Sequence, residues 1–188
     1  MKVAVRYYSR GGNTKAMAEA LARGAGCEAL SIEDPKAAIT QDVDLLFIGG
    51  ALYAYSLDKK LVDYIATLPA DKIGRAVCFG TSWLTRRPVF LIQGKLKERG
   101  ITIAQQAAYS HGKPKPSLVE ALEFFAKNEV DRDTSLDGMS PYEQMQARKL
   151  SVGNITREEA ERNVAEKKAA EAAAASEDEG VFESDTDE

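Results

Sequence analysis

Six consecutive residues, Ser9-Arg10-Gly11-Gly12-Asn13-Thr14, place two hydroxyls, two glycines and a run of backbone N–H groups in one short turn. Such a turn suits an anion. Glycine adopts positive φ at no steric cost and lets a ligand approach the main chain closely. The start of a following helix adds unpaired N–H groups and a positive dipole end, which together favour a phosphate. Two rival phosphate loops fail on residues, because G-x-G-x-x-G and G-x-x-x-x-G-K-[ST] are both absent. Neither a dinucleotide in a Rossmann site nor ATP is therefore favoured. A tight turn with no ligand is the plain alternative, but it would not require so many donors.

Other chemically capable residues are few. His111 is the sole histidine, in Ser110-His111-Gly112-Lys113. It could serve acid–base chemistry because histidine titrates near neutrality. No nucleophile or carboxylate accompanies it in sequence, so it reads as a loop residue near a site mouth. Cys27 and Cys78 lie in apolar segments without metal-type spacing and read as buried, reduced thiols. No metal site is expected.

The elements that must hold the turn alternate strand and helix. Lys2 to Tyr8 reads as a buried strand and Thr14 to Arg23 as a helix stopped by Gly24. Cys27 to Ile32 is a weak strand, and Asp44 to Ile48 a short apolar one closed by Gly49-Gly50. Asp58 to Leu68 is an amphipathic helix, Arg75 to Phe79 a strand, and Pro88 to Arg99 a helix opened by proline. Ile101 to Tyr109 is a fifth strand. Ser117 to Asn128 is a helix with Ser117 and Glu120 spaced as a capping box. Strands joined by helices of this length need crossovers, which predicts a three-layer, doubly wound α/β domain on a five-stranded parallel sheet. Ligands of such sheets bind beyond the carboxyl ends of the strands. The loops Ser9 to Thr14, Gly49 to Leu57 and Gly80 to Arg87 emerge there.

With these residues in view, the chain resembles the flavodoxin family over Met1 to about Asn128. Members carry [ST]-x-T-G-x-T after the first strand and cradle the FMN phosphate there; many bacterial members have Y-S-x-T-G-N-T. This chain has Tyr8-Ser9-Arg10-Gly11-Gly12-Asn13-Thr14, with Gly11 where the family carries Thr, so one phosphate-binding hydroxyl is missing. The remaining hydroxyls and the amides of Arg10 through Thr14 are expected to serve.

The resemblance gives the next two loops roles. In the family, the loop after the third strand contacts the isoalloxazine. Here that implicates Gly50, Ala51, Leu52, Tyr53, Ala54 and Tyr55, with Tyr53 and Tyr55 as stacking residues and Gly49-Gly50 permitting close approach. Either tyrosine could instead pack against the domain. The loop after the fourth strand lines the other side of the ring, which implicates Thr81, Ser82 and Trp83, the only tryptophan. A core or partner-facing tryptophan is the alternative. Arg86 and Arg87 could face a redox partner, stabilise reduced flavin, or simply be solvated.

The whole-chain charge of −4 conceals an asymmetry. Ser151 to Glu188 holds 4 Lys/Arg and 12 Asp/Glu, a balance of −8, so the first 150 residues carry +4. The organisation expected is a flavodoxin-like domain over 1–130, a linker with a short helix over 131–155, and an acidic, partly helical or disordered tail over 156–188. Ser140-Pro141-Tyr142-Glu143 marks the short helix, Thr156 to Glu159 is a second capping box, and Ser176 to Glu188 is expected to be disordered. No signal peptide or membrane span is evident, so a cytoplasmic location is expected. The function implied is electron transfer by bound FMN with a redox partner protein, and neither nucleic acid nor a membrane is implied. An FMN-dependent NAD(P)H oxidoreductase acting on a quinone or similar acceptor, and a flavin-free binding module, stay open. Oligomeric state is not indicated.

Overall fold

The computed structural model describes residues 1–132, Tyr142 and residues 156–178. The chain divides into two compact units, Met1–Arg132 and Asp133–Glu188. In the first unit the chain runs β1 (Val3–Tyr7), α1 (Asn13–Ala25), β2 (Ala29–Ser31), β3 (Val43–Tyr53), β4 (Ser56–Leu57), α2 (Lys59–Thr67), β5 (Ile73–Ser82), α3 (Arg87–Glu98), β6 (Ala108–His111) and α4 (Pro116–Asp131). The strand order is β2-β1-β3-β5-β6, and every pair along it is parallel. The short β4 pairs antiparallel with the end of β3. From β1 the chain moves outward to β2, then returns past β1 to β3. The switch point therefore lies between β1 and β3, and a crevice opens there at the carboxyl ends of the strands.

Alternation along the central strands fills both faces. Leu46, Ile48, Ala76 and Cys78 pack with Leu61, Ile65, Ile92 and Leu96 of α2 and α3. Leu45, Phe47, Val77 and Phe79 pack with Met17 and Leu21 of α1 and Leu122 and Ala126 of α4. Burying such side chains contributes roughly 1.5–3 kcal/mol each, relative to exposure. Both cysteines are free: Cys78 is buried, and Cys27 is half-buried. Burial pushes the Cys78 thiol up to about 12, which leaves it unreactive at neutral pH.

Several boundaries differ from the sequence expectation for identifiable reasons. Gly24 does not stop α1, which ends against the left-handed Gly26. A Cβ at Gly24 would meet the Glu123 carbonyl oxygen at 2.0 Å, so that glycine admits the α4 backbone. The capping box at Ser117 and Glu120 does not form. Pro116 occupies the first turn of α4, Lys115 is the extended cap, and the helix begins earlier. The fifth strand is interrupted: Ile103 bridges Ala76, the buried Ala104 donates its N–H to the Ala76 carbonyl oxygen, and the exposed Gln105, Gln106 and Ala107 follow before β6 begins at Ala108. β3 runs through Gly49-Gly50 and returns in a two-residue hairpin at Ala54-Tyr55.

Ala54 and Tyr55 have φ of 50° and 67°. Positive φ at both central residues belongs to a type I′ turn, where Asn and Gly are preferred. Left-handed backbone costs a non-glycine residue roughly 1–2 kcal/mol, and glycine's extra unfolded entropy offsets part of that. Ala54→Gly is therefore expected to stabilise the domain by about 0.5–1 kcal/mol, measured by urea unfolding.

In the second unit, α5 (Arg157–Asp178) starts on the capping box expected at Thr156. Thr156 N–H donates to Glu159 Oε2 at 2.8 Å, and Glu159 N–H to Thr156 Oγ1 at 3.2 Å. The helix continues through Ser176 to Asp178, three residues into the segment expected to be disordered. The Ser140-Pro141-Tyr142-Glu143 cap, apart from Tyr142, and residues 179–188 lie outside the described residues. No helix among the described residues is long and apolar enough to cross a membrane.

Candidate functional site

The turn after β1 is organised by its own donors. Gly12 takes the left-handed conformation (φ 85°) as the N-cap of α1. Its N–H donates to Ser9 Oγ at 3.0 Å, so the Ser9 hydroxyl braces the loop. The Arg10 N–H donates to Tyr53 Oη at 2.9 Å. The Arg10 guanidinium folds back over the Tyr53 ring, 4.2 Å from its centre, and pairs with Asp58. Arg10 thus ties the turn to the β3–β4 hairpin rather than offering its amide freely. The N–H groups of Gly11, Asn13 and Thr14 carry no hydrogen bond to another described residue. They form the anion-binding end.

Thr14 and Thr81, both buried, share a hydrogen bond of 2.9 Å between hydroxyls. Two hydroxyls bring two hydrogens, and one is used between them. The other remains for an acceptor in the cleft.

Asp58 caps α2 through its Oδ1, which accepts from Lys60 N–H at 2.9 Å. Burial pushes its carboxyl up, but the Lys60 amide and the Arg10 guanidinium outweigh this and hold it below the usual carboxylate range. The Tyr53 phenol is pushed above its ordinary value, chiefly by burial, against the pull of the Arg10 amide.

The β5–α3 loop is fixed on the opposite side. The Ser82 carbonyl oxygen accepts from Tyr109 O–H at 2.8 Å and from Gly112 N–H at 3.3 Å, and Ser82 Oγ accepts from Leu84 N–H at 3.3 Å. Trp83 stands edge-on to His111, ring centres 5.8 Å apart, and its ring covers Gly112. His111 is thereby a support for Trp83.

These loops enclose a cleft of about 520 Å³, within the range of roughly 300–1,000 Å³ usual for small-ligand sites. It is lined by Ser9, Gly11, Asn13 and Thr14 at one end, by Ala51, Leu52, Tyr53, Ala54 and Tyr55 along one wall, and by Thr81, Ser82 and Trp83 along the other. Three expected residues do not line it. Arg10 is turned towards Asp58, and Gly12 holds the loop's shape. Gly50 is absent from the lining, and a Cβ there would meet Leu61 Cδ2 at 2.3 Å, so its bareness admits α2. Gly49 likewise makes room for the Phe79 ring, at 2.3 Å. Leu84, Thr85, Arg87 and Gly112 also line the cleft; of these only Arg87 was weighed as a neighbour of reduced flavin. The signal for the first three was loop length, since the segment from Gly80 reaches Arg87 before α3 turns away. Gly112 had no signal beyond its place after the last strand.

No family model matches the sequence, and no curated protein matches it. Solved structures do. A flavodoxin from the domain Archaea is 24% identical and matches 70% of this chain and 100% of its own, with a TM-score of 0.55. Flavodoxin 1 from Bacillus cereus is 23% identical over 71% of this chain and 99% of its own, with a TM-score of 0.59. The fold is flavodoxin-like. Rubredoxin oxygen:oxidoreductase from Desulfovibrio gigas shares it at 17% identity and a TM-score of 0.59, over 69% of this chain and 35% of that longer protein.

In this flavodoxin-like domain, the anion-binding end and the aromatic walls meet at the β1/β3 switch point. A long flat molecule with a terminal phosphate fits that division. The amides and the threonine hydroxyls would take the phosphate, and Tyr53, Tyr55, Leu52 and Trp83 would flank the ring.

Proposed function

We propose that the domain binds FMN non-covalently and exchanges electrons with a protein partner. One observation carries the reading: a phosphate-sized cluster of unpaired N–H groups opens directly into a cleft whose mouth exposes Tyr55 and Trp83 on opposite walls. Two exposed aromatics flanking a cleft lose apolar hydration when a flat ring slides between them. The residues present therefore fit FMN. The flavodoxins among the structural relatives support the same choice.

Bound FMN would supply the redox chemistry, which is the cofactor's own. The chain's residues do the rest. Gly11, Asn13 and Thr14 hold the phosphate, and Gly12 and Ser9 keep those donors aimed. Arg10 locks Tyr53 in place through its amide and its guanidinium. Trp83, braced by His111, closes the other side and excludes water from the ring.

Gly11 marks where binding can be improved. Its Cβ position has no atom within 4 Å, and its φ is not positive. Threonine therefore fits, and its hydroxyl adds a donor beside a charged phosphate, worth roughly 1.5–3 kcal/mol. Gly11→Thr is expected to bind FMN about tenfold tighter, with riboflavin affinity unchanged, by calorimetry on the two ligands.

Anaerobic mixing of the FMN-loaded protein with NADPH, then with dithionite, tests the carrier role. A carrier keeps its yellow colour in NADPH and loses it in dithionite. Rapid bleaching by NADPH alone would replace the carrier with an NADPH-dependent reductase. A protein that takes up no FMN would leave a flavin-free binding module.

A further inference from the structure

Charge around the cleft mouth is one-sided. The segments 9–12, 54–58, 83–87 and 112–115 contain Arg10, Arg86, Arg87, Lys113 and Lys115, all exposed, against the single carboxylate Asp58. Asp58 is buried and held by Arg10 and the Lys60 amide, so it presents little charge outward. Among the described residues, none of Arg86, Arg87, Lys113 and Lys115 has a carboxylate partner. Elsewhere Lys15, Arg23, Lys59, Lys60 and Lys95 each pair with a carboxylate. Four cations without a carboxylate partner, Arg86, Arg87, Lys113 and Lys115, thus stand in the segments where the cleft opens.

Apolar surface stands in the middle of this rim. Tyr55, Trp83 and Leu84 are 74%, 71% and 77% exposed. Phe90, 64% exposed, lies three residues beyond Arg87 and so on the same side of α3. Aromatic side chains with arginine at the centre and charge around the edge are the composition of a protein interface. A small free anion would need donors converging on one point. These cations are spread over separate segments in solvent, which suits attraction of a large charged surface.

We propose that the cleft mouth docks an electron-transfer protein through an acidic face on that partner. Tyr55, Trp83 and Leu84 form the apolar contact, and Arg86, Arg87, Lys113 and Lys115 form the steering rim. The proposal rests on the FMN reading above. An acidic partner is drawn in by the rim, and its redox centre is delivered to the open edge of the cleft.

A plant-type [2Fe–2S] ferredoxin, chosen for an acidic surface, serves as the probe. The reduced ferredoxin is mixed anaerobically with the oxidised, FMN-loaded protein. One electron leaves the cluster, which is oxidised, and enters the flavin, which is reduced. The second-order rate constant is expected to fall steeply between 10 mM and 500 mM salt, roughly the range over which screening shortens from about 30 Å to a few ångströms. The triple variant R86E/K113E/K115E, whose side chains do not line the cleft, is expected to lose about tenfold or more of the low-salt rate. Its FMN content and its reduction by dithionite should match the unmodified protein. A rate that rises with salt, or a triple variant as fast as the original, would overturn the docking surface. Failure of the FMN reading shows separately, as a protein that stays colourless with added FMN, and it overturns this proposal as well.

Discussion

Gly12→Val is expected to lower FMN affinity by about 100-fold or more while the domain stays folded. Gly12 sits at φ 85°, where a β-branched residue is an outlier. Nothing crowds its Cβ position, so the conflict is conformational and not steric with neighbours. Valine relieves it by leaving the left-handed region. That withdraws the N–H from Ser9 Oγ and re-aims the N–H groups of Asn13 and Thr14. Losing two bonds to a charged phosphate, at roughly 1.5–3 kcal/mol each, gives the expected loss. Gly11→Ala, one residue away at an ordinary φ, should bind nearly as the unmodified protein does. Calorimetric titration of both variants with FMN, beside far-UV circular dichroism, separates a lost site from a lost fold.

The second large effect concerns stability far from the cleft. Arg75 on β5 and Glu129 near the end of α4 are both buried. The Arg75 guanidinium donates to Glu129 Oε2 at 2.5 Å and to the Glu129 carbonyl oxygen at 2.6 Å. Arg132 adds a cation 3.8 Å from Oε1. Glu129→Ala removes the buried carboxylate that holds the Arg75 guanidinium and is expected to destabilise the domain by about 3–5 kcal/mol. For a domain of this size, that is a fall of roughly 10–20 °C in Tm. The double variant R75M/E129L removes both charges and should recover most of the loss, because desolvation of the pair offsets much of its attraction. Thermal unfolding of the two proteins checks this; a single variant as stable as the original would contradict it.

Local patterns made much of the architecture legible. The β1–turn–α1 unit showed in sequence because an apolar strand, a glycine turn and a helical period follow one another without interruption. The apolar runs at 44–48 and 75–79 marked the central strands, which are buried on both faces. Pairings across long separations were not legible. Gly49 and Gly50 read as a strand end, yet they lie mid-strand, aligned with Phe79 and Gly80 of β5. Their missing side chains are filled by Phe79 and Leu61. The Ala54-Tyr55 hairpin carries neither Gly nor Asn, so it gave no turn signal. Tyr53 meets Arg10 across 43 residues, and Arg75 meets Glu129 across 54. No local rule pairs such residues. The candidate site was legible as three loops; the Arg10–Tyr53–Asp58 lock within it appears only in three dimensions.

The central claim is that the turn from Ser9 to Thr14 grips the phosphate of a flavin lying beside Trp83. Trp83 is the only tryptophan, so its fluorescence reports the cleft directly. Titration of flavin-free protein with FMN should quench that fluorescence to saturation at one equivalent, and riboflavin, which lacks the phosphate, should bind at least about 100-fold more weakly. Equal affinity for riboflavin and FMN, or no quenching by either, would contradict the account.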